Sequence, residues 1–137
     1  MILVDSNVLM YAAGAPHANK DSSVALLERI ARGTLKACID TEVLQEVLHR
    51  YRSIKRWEEG SQLYLLARRI FSVIQPVTAE VLDIAHDLMT VHPDLVARDA
   101  VHAALYKHIR AAALCSFDRD FDTIPSITRV EPTALLD

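Results

Sequence analysis

Short apolar runs of strand length alternate with longer stretches of helical period along nearly the whole chain, an ordering that points to an α/β fold with a parallel sheet flanked by helices. The runs lie at residues 2–4, 35–39, 73–77, 112–117 and 127–130. Pro76 has no N–H to give to a ladder, so the third run reads as an edge strand. The run 112–117, apolar except for Ser116, reads as an interior one. The intervening pattern predicts helices over 7–13, from Asp21 to just before Gly33, from Thr41 through Ile54, and over 57–71, 78–90 and 99–110. Asp21, Asp40 or Thr41, Thr78 and Asp99 stand where helix N-caps are wanted.

Composition narrows the function classes. With 137 residues, 51% of them hydrophobic, and a net charge of −3, residues 1–137 read as one globular domain that needs neither disulfide nor structural metal for a core. The only glycines are Gly14, Gly33 and Gly60, so no glycine-rich phosphate cradle can be assembled. The N-terminus meets Asp5 before any apolar signal region develops, and no run approaches the ~20 residues of a membrane span, so a cytoplasmic protein without membrane attachment is expected. Cys38 and Cys115 sit inside apolar runs and read as reduced core residues. Metal-free cleavage by a histidine pair finds little support, because neither the His102/His108 nor the His86/His92 spacing shares a helix face, and most of the six histidines read as surface or packing residues.

The carboxylates are the informative residues. Asp5 and Asp118 each follow directly on an apolar run, at the strand ends where open parallel sheets bind ligands. Glu46 flanks the apolar stripe Val43, Leu44, Val47, Leu48 and Tyr51 of its helix; an i,i+4 ion pair with Arg50 serves its position equally well. Asp99 opens the last long helix, where capping and a site role are both open. Asp94, Asp120 and Asp122 read as solvated loop acids. If acids from four segments converged they would repel one another unless a cation bound, and hard divalent ions such as Mg²⁺ or Mn²⁺ take such oxygen ligands. The basic strip His49, Arg50, Arg52, Lys55 and Arg56 follows Glu46 and could either line an RNA path or be a solvated face.

Four stretches carry a family resemblance: Val-Asp-Ser-Asn-Val-Leu at 4–9, Thr-Glu-Val-Leu-Gln-Glu-Val-Leu at 41–48, Ala-Arg-Asp-Ala-Val-His-Ala-Ala at 97–104 and Ser-Phe-Asp-Arg-Asp-Phe-Asp at 116–122. In this order they resemble the PIN-domain family, and its VapC-type toxins in particular. The resemblance implies a three-layer α/β/α sandwich with a central, mostly parallel sheet and a metal-dependent ribonuclease site at its strand ends. Asp5, Glu46, Asp99 and Asp118 would be the catalytic acids that hold Mg²⁺, with Mn²⁺ able to substitute. Asn7 and Ser116 match the family's polar positions that orient water or phosphate. Glu42 is a second candidate on the helix of Glu46, and Asp122 is a second candidate beside Asp118. The partners implied are RNA, a cognate antitoxin and a second copy of the chain. Two other readings are a PIN-like module that binds RNA or protein without cutting, and a phosphomonoester hydrolase using Asp5 as nucleophile.

Overall fold

The computed structural model describes all 137 residues. Strands β1 (Ile2–Val4), β2 (Ala37–Asp40), β3 (Ile74–Gln75), β4 (Ala113–Cys115) and β5 (Arg129–Val130) form one sheet in the order β3-β2-β1-β4-β5. Every neighbouring pair is parallel, with Leu3 beside Cys38 and Leu114, and Val4 beside Cys115. Parallel neighbours need crossovers. These are supplied by α1 (Ser6–Ala13), α2 (Lys20–Ala31), α3 (Thr41–Ser53), α4 (Trp57–Ile70), α5 (Ala79–Val91) and α6 (Ala97–His108), with short 3-10 helices at Arg119–Thr123 and Pro132–Leu135.

Side chains alternate across a strand, so each strand feeds two cores. Leu3, Cys38 and Leu114 pack on one face with Val81, Leu88, Val101 and Leu105 of α5 and α6. Val4, Ile39 and Cys115 pack on the other with Val8, Leu26, Val43 and Leu63 of α1 to α4. Each such Leu or Val taken fully out of water contributes roughly 1.5–3 kcal/mol. The result is the three-layer α/β/α sandwich expected. Cys38 and Cys115 are free, buried thiols, which burial pushes up to about 11 and about 12 respectively. No helix is long and apolar enough to cross a membrane.

Several boundaries differ from those read off the pattern. Helix α2 starts at Lys20 behind Asn19, not at an Asp21 cap; the Ser23 hydroxyl donates back to the Asn19 carbonyl at 2.7 Å, and Asp21 stands inside the first turn, where its charge suits the helix dipole. Of the two candidate caps for α3, Asp40 holds the role: its Oδ1 accepts from the Val43 N–H at 2.8 Å. The Thr41 hydroxyl instead accepts from the Val77 N–H at 3.0 Å, tying down the segment after the edge strand. Helix α6 begins after Val96, so Asp99 lies within its first turn and caps nothing.

Helices α3 and α4 approach so closely that Gly60 is obligatory. A Cβ there would sit 2.3 Å from the Cβ of Tyr51. Gly60→Ala is therefore expected to destabilise the protein: overpacking costs about 1–3 kcal/mol and more where backbones must part, against roughly 1 kcal/mol regained in helix propensity. A melting curve read by far-UV circular dichroism checks this, and an unchanged or raised Tm would contradict the close approach.

Candidate active site

In the order β3-β2-β1-β4-β5 the chain first builds outward from β1 on one side and then crosses to the other, so the gap between the ends of β1 and β4 is the topological switch point. Asp5 and Ser116 are the first residues beyond those two ends. The Asp5 N–H donates to the Cys115 carbonyl at 2.9 Å, which extends the ladder one residue into the site. Asp5 is 6% exposed and fully engaged. Its Oδ1 accepts from the Ser6 N–H at 2.7 Å, capping α1, and its Oδ2 accepts from the Ser116 hydroxyl at 2.7 Å and the Asn7 amide at 3.3 Å. Ser116 in turn accepts from Asn7 at 3.1 Å and from the Asp118 N–H at 3.0 Å, while the Phe117 N–H donates to Asn7 at 3.3 Å. One serine and one asparagine thus lock the ends of the two strands together and aim Asp118 across the gap.

Glu46 comes in from α3, and Asp99 from the first turn of α6. Together Asp5, Asn7, Glu46, Arg50, Arg98, Asp99 and Asp118 line a cavity of about 320 Å³ at the switch point. The oxygens of Asp99, Asp118 and Asp120 lie within 4.8 Å of one another, and the ligand atoms of Asp5, Glu46 and His102 form a second such group. All four acids expected from the resemblance therefore meet in one place, and the loop acid Asp120 joins them. Asp122 does not: Arg129 grips it through Nε and Nη2 at 2.9 and 3.2 Å. Glu42 stays outside the cavity lining. The basic strip divides. His49 and Arg50 line the cavity, Arg52 stacks 4.5 Å from the Trp57 ring centroid, Arg56 pairs with Glu59 at 2.7 Å, and Lys55 occupies a left-handed turn after α3. Position alone left Glu46 open to an ion pair with Arg50; its carboxylate turns inward instead.

What it meets there is His102, a contact that the sequence reading, which placed most of the histidines at surface or packing positions, did not single out. His102 is 1% exposed, with Nδ1 2.6 Å from Asp40 Oδ2 and Nε2 2.7 Å from Glu46 Oε1. The other Glu46 oxygen accepts from the Ser6 hydroxyl. Alternation along β1 and β2 places Asp5 and Asp40 on the same sheet face as Leu3 and Cys38, which is the face that α6 covers. The available signal was a histidine three residues beyond Asp99 and an acid at the end of the second strand, but only a three-dimensional contact joins His102 to Asp40.

The electrostatics follow from this wiring. Burial works to lower the His102 pKa, but the charge and hydrogen bond of Asp40, with Glu46 and Asp5, hold it well above its ordinary value. Burial works to raise Glu46, and the His102 bond and charge, Ser6 and Arg98 outweigh it, leaving the carboxyl below its usual range. Asp5 is raised, chiefly by burial, with His102 and Ser116 opposing. Asp99 is pushed up from 3.8 to about 6 by burial first, then by the charges of Asp118 and Asp5. The donor set is all oxygen on the Asp99 side and carries uncompensated negative charge, which suits a hard divalent cation.

A sequence profile of the PIN domain matches residues 2–127. The chain belongs to the PIN-domain family. Within the family it is similar to VapC proteins. It is 39% identical to Ribonuclease VapC13 of Mycobacterium tuberculosis over 130 residues, covering 95% of this chain and 99% of that protein. Over 120 residues, covering 86% and 93%, it is 32% identical to Ribonuclease VapC23 of the same species. Among solved PIN folds, VapC20 of M. tuberculosis, described as a Sarcin-Ricin loop cleaving toxin, superimposes with a TM-score of 0.75 at 18% identity, over 95% of this chain and 98% of that one. VapBC2 from Rickettsia felis, solved bound to a DNA fragment from its promoter, gives 0.76 at 20% identity over 96% and 98%.

The raised Asp99 carboxyl makes stability pH-dependent. An acid whose folded pKa lies above its unfolded value binds the extra proton in the folded state, so stability falls as pH rises through the window from 3.8 to about 6. In EDTA, Asp99→Asn is expected to remove that loss, melting above the parent at pH 7 by something on the order of 1 kcal/mol after solvent screening, and converging with it near pH 4. Parallel Tm curves against pH for the two proteins would contradict the crowding.

Proposed function

We propose that this PIN-domain chain is a metal-dependent endoribonuclease and the toxin of a toxin–antitoxin pair, with Asp5, Glu46, Asp99 and Asp118 as its catalytic acids. The observation that carries this reading is the convergence of acids from β1, α3, α6 and the β4 end on one cavity, with Asp99 pushed up to about 6 where no protein cation neutralises Asp99 and Asp118 fully. Asp5, Asp99 and Asp118, with Glu46 beside them, would hold Mg²⁺, and Mn²⁺ would substitute. A bound ion of this kind activates water at neutral pH and offsets charge building on a phosphodiester.

The protein's own contribution is placement. Ser116 is fully buried, so it acts by fixing Asp5 and Asp118 instead of touching RNA. Asn7 lines the cavity and can present its amide to water or phosphate while bracing Asp5. Arg50 and Arg98 stand on the rim, where a guanidinium can take a phosphate oxygen and draw the backbone in. Arg52 and Arg56 are engaged by Trp57 and Glu59 and stand outside the cavity lining, so the RNA contact falls to Arg50 and Arg98. The reaction is hydrolysis: a water oxygen bonds to phosphorus, a ribose oxygen leaves, and a carboxylate of the site accepts the water's proton. Holding the phosphate in line and neutralising its charge account for most of the acceleration in such chemistry.

Covalent chemistry through Asp5 is disfavoured, since both its oxygens already accept hydrogen bonds and the group is buried. A module that only binds RNA has no use for four crowded acids. For the antitoxin, an apolar groove between α2 and α4, lined by Val24, Leu27, Ala31, Leu63 and Leu66, offers a seat for an amphipathic segment. A homodimer would cover exposed Leu82, Met89 and Val91 of α5.

Incubation of the purified chain with a mixed tRNA, rRNA and mRNA pool tests the activity. Discrete products are expected with Mg²⁺ or Mn²⁺, none with EDTA, and a rate at least about 100-fold lower for Asp5→Asn. Equal products from parent and variant would identify a contaminant, and no cutting by folded, partner-free protein would favour a binding module. On a cleaved substrate, Arg50→Ala is expected to raise KM with little change in kcat and to reduce the salt slope of RNA binding by about 1. A lowered kcat at constant KM would place Arg50 at the reacting phosphate instead.

A further inference from the structure

Asn7, Met10 and Arg50 line the acid cavity and also line a second cavity, of about 640 Å³, between α1, the end of α3 and the start of α4. That volume lies within the ~300–1,000 Å³ of small-molecule sites. Its walls are largely apolar and aromatic, with Tyr11 and Tyr51 beside Met10. Tyr51 is buried against Gly60, whereas Tyr11 is half-buried. The Tyr11 ring is braced by its neighbours. Phe117 meets it edge-on with centroids 5.1 Å apart, and the His17 ring lies 4.6 Å away at a tilt of 37°. The loop carrying His17 is tied down in turn, since Lys20 Nζ donates to the Gly14 carbonyl at 2.5 Å and the Asn19 N–H donates to His17 Nδ1 at 3.0 Å. Phe117 directly precedes Asp118, and its N–H donates to Asn7 at 3.3 Å, so the aromatic wall is built on the same turn that aims the acids.

Charge separates this cavity from the one that adjoins the acids on the α6 side. The latter, of about 310 Å³, begins at Asp99 and adds Asp94 and Asp120, so a phosphate strand is repelled along it. Toward Tyr11 the strand meets a guanidinium instead: Arg56 in that wall is paired with Glu59, which leaves Arg50 for phosphate. We propose that the cavity at Tyr11 is a nucleobase subsite, in which one unstacked base of a single-stranded RNA lies against the Tyr11 ring while Arg50, common to both cavities, holds the phosphate joining that nucleotide to the scissile position. This rests on the nuclease reading above for its place beside the reacting phosphate, though its test needs no cleavage. Every base has a π face, so the subsite selects strands whose bases are free and not a particular sequence. A base locked in an A-form duplex cannot enter, which narrows the substrate to single strands, loops and bulges.

Two fluorescently labelled strands of about eight nucleotides test this by anisotropy: oligouridylate, and an abasic ribose-phosphate strand of equal length. Their charges are the same, so the difference in affinity reads base contact alone. Ca²⁺ at low ionic strength neutralises the acids, and a repeat in EDTA makes the comparison without an ion. The parent is expected to bind oligouridylate roughly 5–100-fold more tightly than the abasic strand. Tyr11→Phe keeps the ring and is expected to keep that ratio, whereas Tyr11→Ala and Tyr11→Leu are expected to bring it to within about twofold of unity with abasic binding unchanged. Arg50→Ala is expected to weaken both strands to a similar extent. Tyr11→Leu retains apolar bulk, so it decides the matter should Tyr11→Ala fail to melt cooperatively. A parent without a preference for the base-bearing strand, or a folded Leu variant that keeps the parent's ratio, overturns the proposal and leaves the cavity to a protein partner. If the parent cuts no RNA the nuclease reading fails, and the strand comparison still decides the subsite; cutting without a base preference removes the subsite alone.

Discussion

Asp5, Asp40 and Glu46 are carried into the interior at one end of the sheet, and the His102 ring is buried among them. Carboxylates taken out of water are costly unless paired and hydrogen-bonded, and a buried ion pair survives only when its remaining lone pairs are satisfied. Here they are: no buried side-chain nitrogen or oxygen lacks a partner. The cap of α3, the orientation of α6 and the direction of the Glu46 side chain are all set by donors and acceptors that meet at this one ring. Removing any member would leave another uncompensated in low dielectric.

The parallel sheet explains why the cluster forms where it does. Strand order reverses at β1, so β1 and β4 are neighbours that diverge in their onward connections, and the space beyond their ends is not filled by a crossover. Backbone and side chain then cooperate. The ladder continues through Asp5 N–H to Cys115, and Ser116 and Asn7 bind the two exits to each other. Asp118 is aimed by that linkage, then caps the 3-10 helix that follows through the Asp120 N–H at 2.9 Å. The acids are thus carried on stiff elements and short, hydrogen-bonded turns, which is what precise positioning of a phosphate and an attacking water demands.

Charge is distributed to the same end. Glu46 reaches the cavity from α3 with His102 behind it, Asp99, Asp118 and Asp120 gather on the side of α6 and the β4 exit, and Arg50 and Arg98 also line the cavity. A polyanion is attracted to such a rim and repelled by the floor beneath it unless a cation is present. In the proposed reaction, substrate binding and ion binding would thus be coupled by electrostatics.

Much of this was written in local pattern. Strand-length apolar runs and intervening helical stripes determine layers and parallel pairing, because each face must find an apolar partner, and an acid placed straight after a parallel strand emerges at the ligand-binding edge whatever the details of packing. Asp5 and Asp118 were legible for that reason, and Glu46 and Asp99 through the family resemblance. Only the tertiary structure decided that Asp99 caps nothing, that Asp122 belongs to Arg129, that Arg52 and Arg56 are spent on Trp57 and Glu59, and that Asp120 joins the acids. It alone revealed His102, which a helical-periodicity reading assigns to a packed face. The physical reason is range: periodicity and capping are set by neighbours a few residues away, whereas the charge state and partner of a buried side chain are set by groups 56 and 62 residues distant in the chain that only the folded sheet brings within hydrogen-bonding distance.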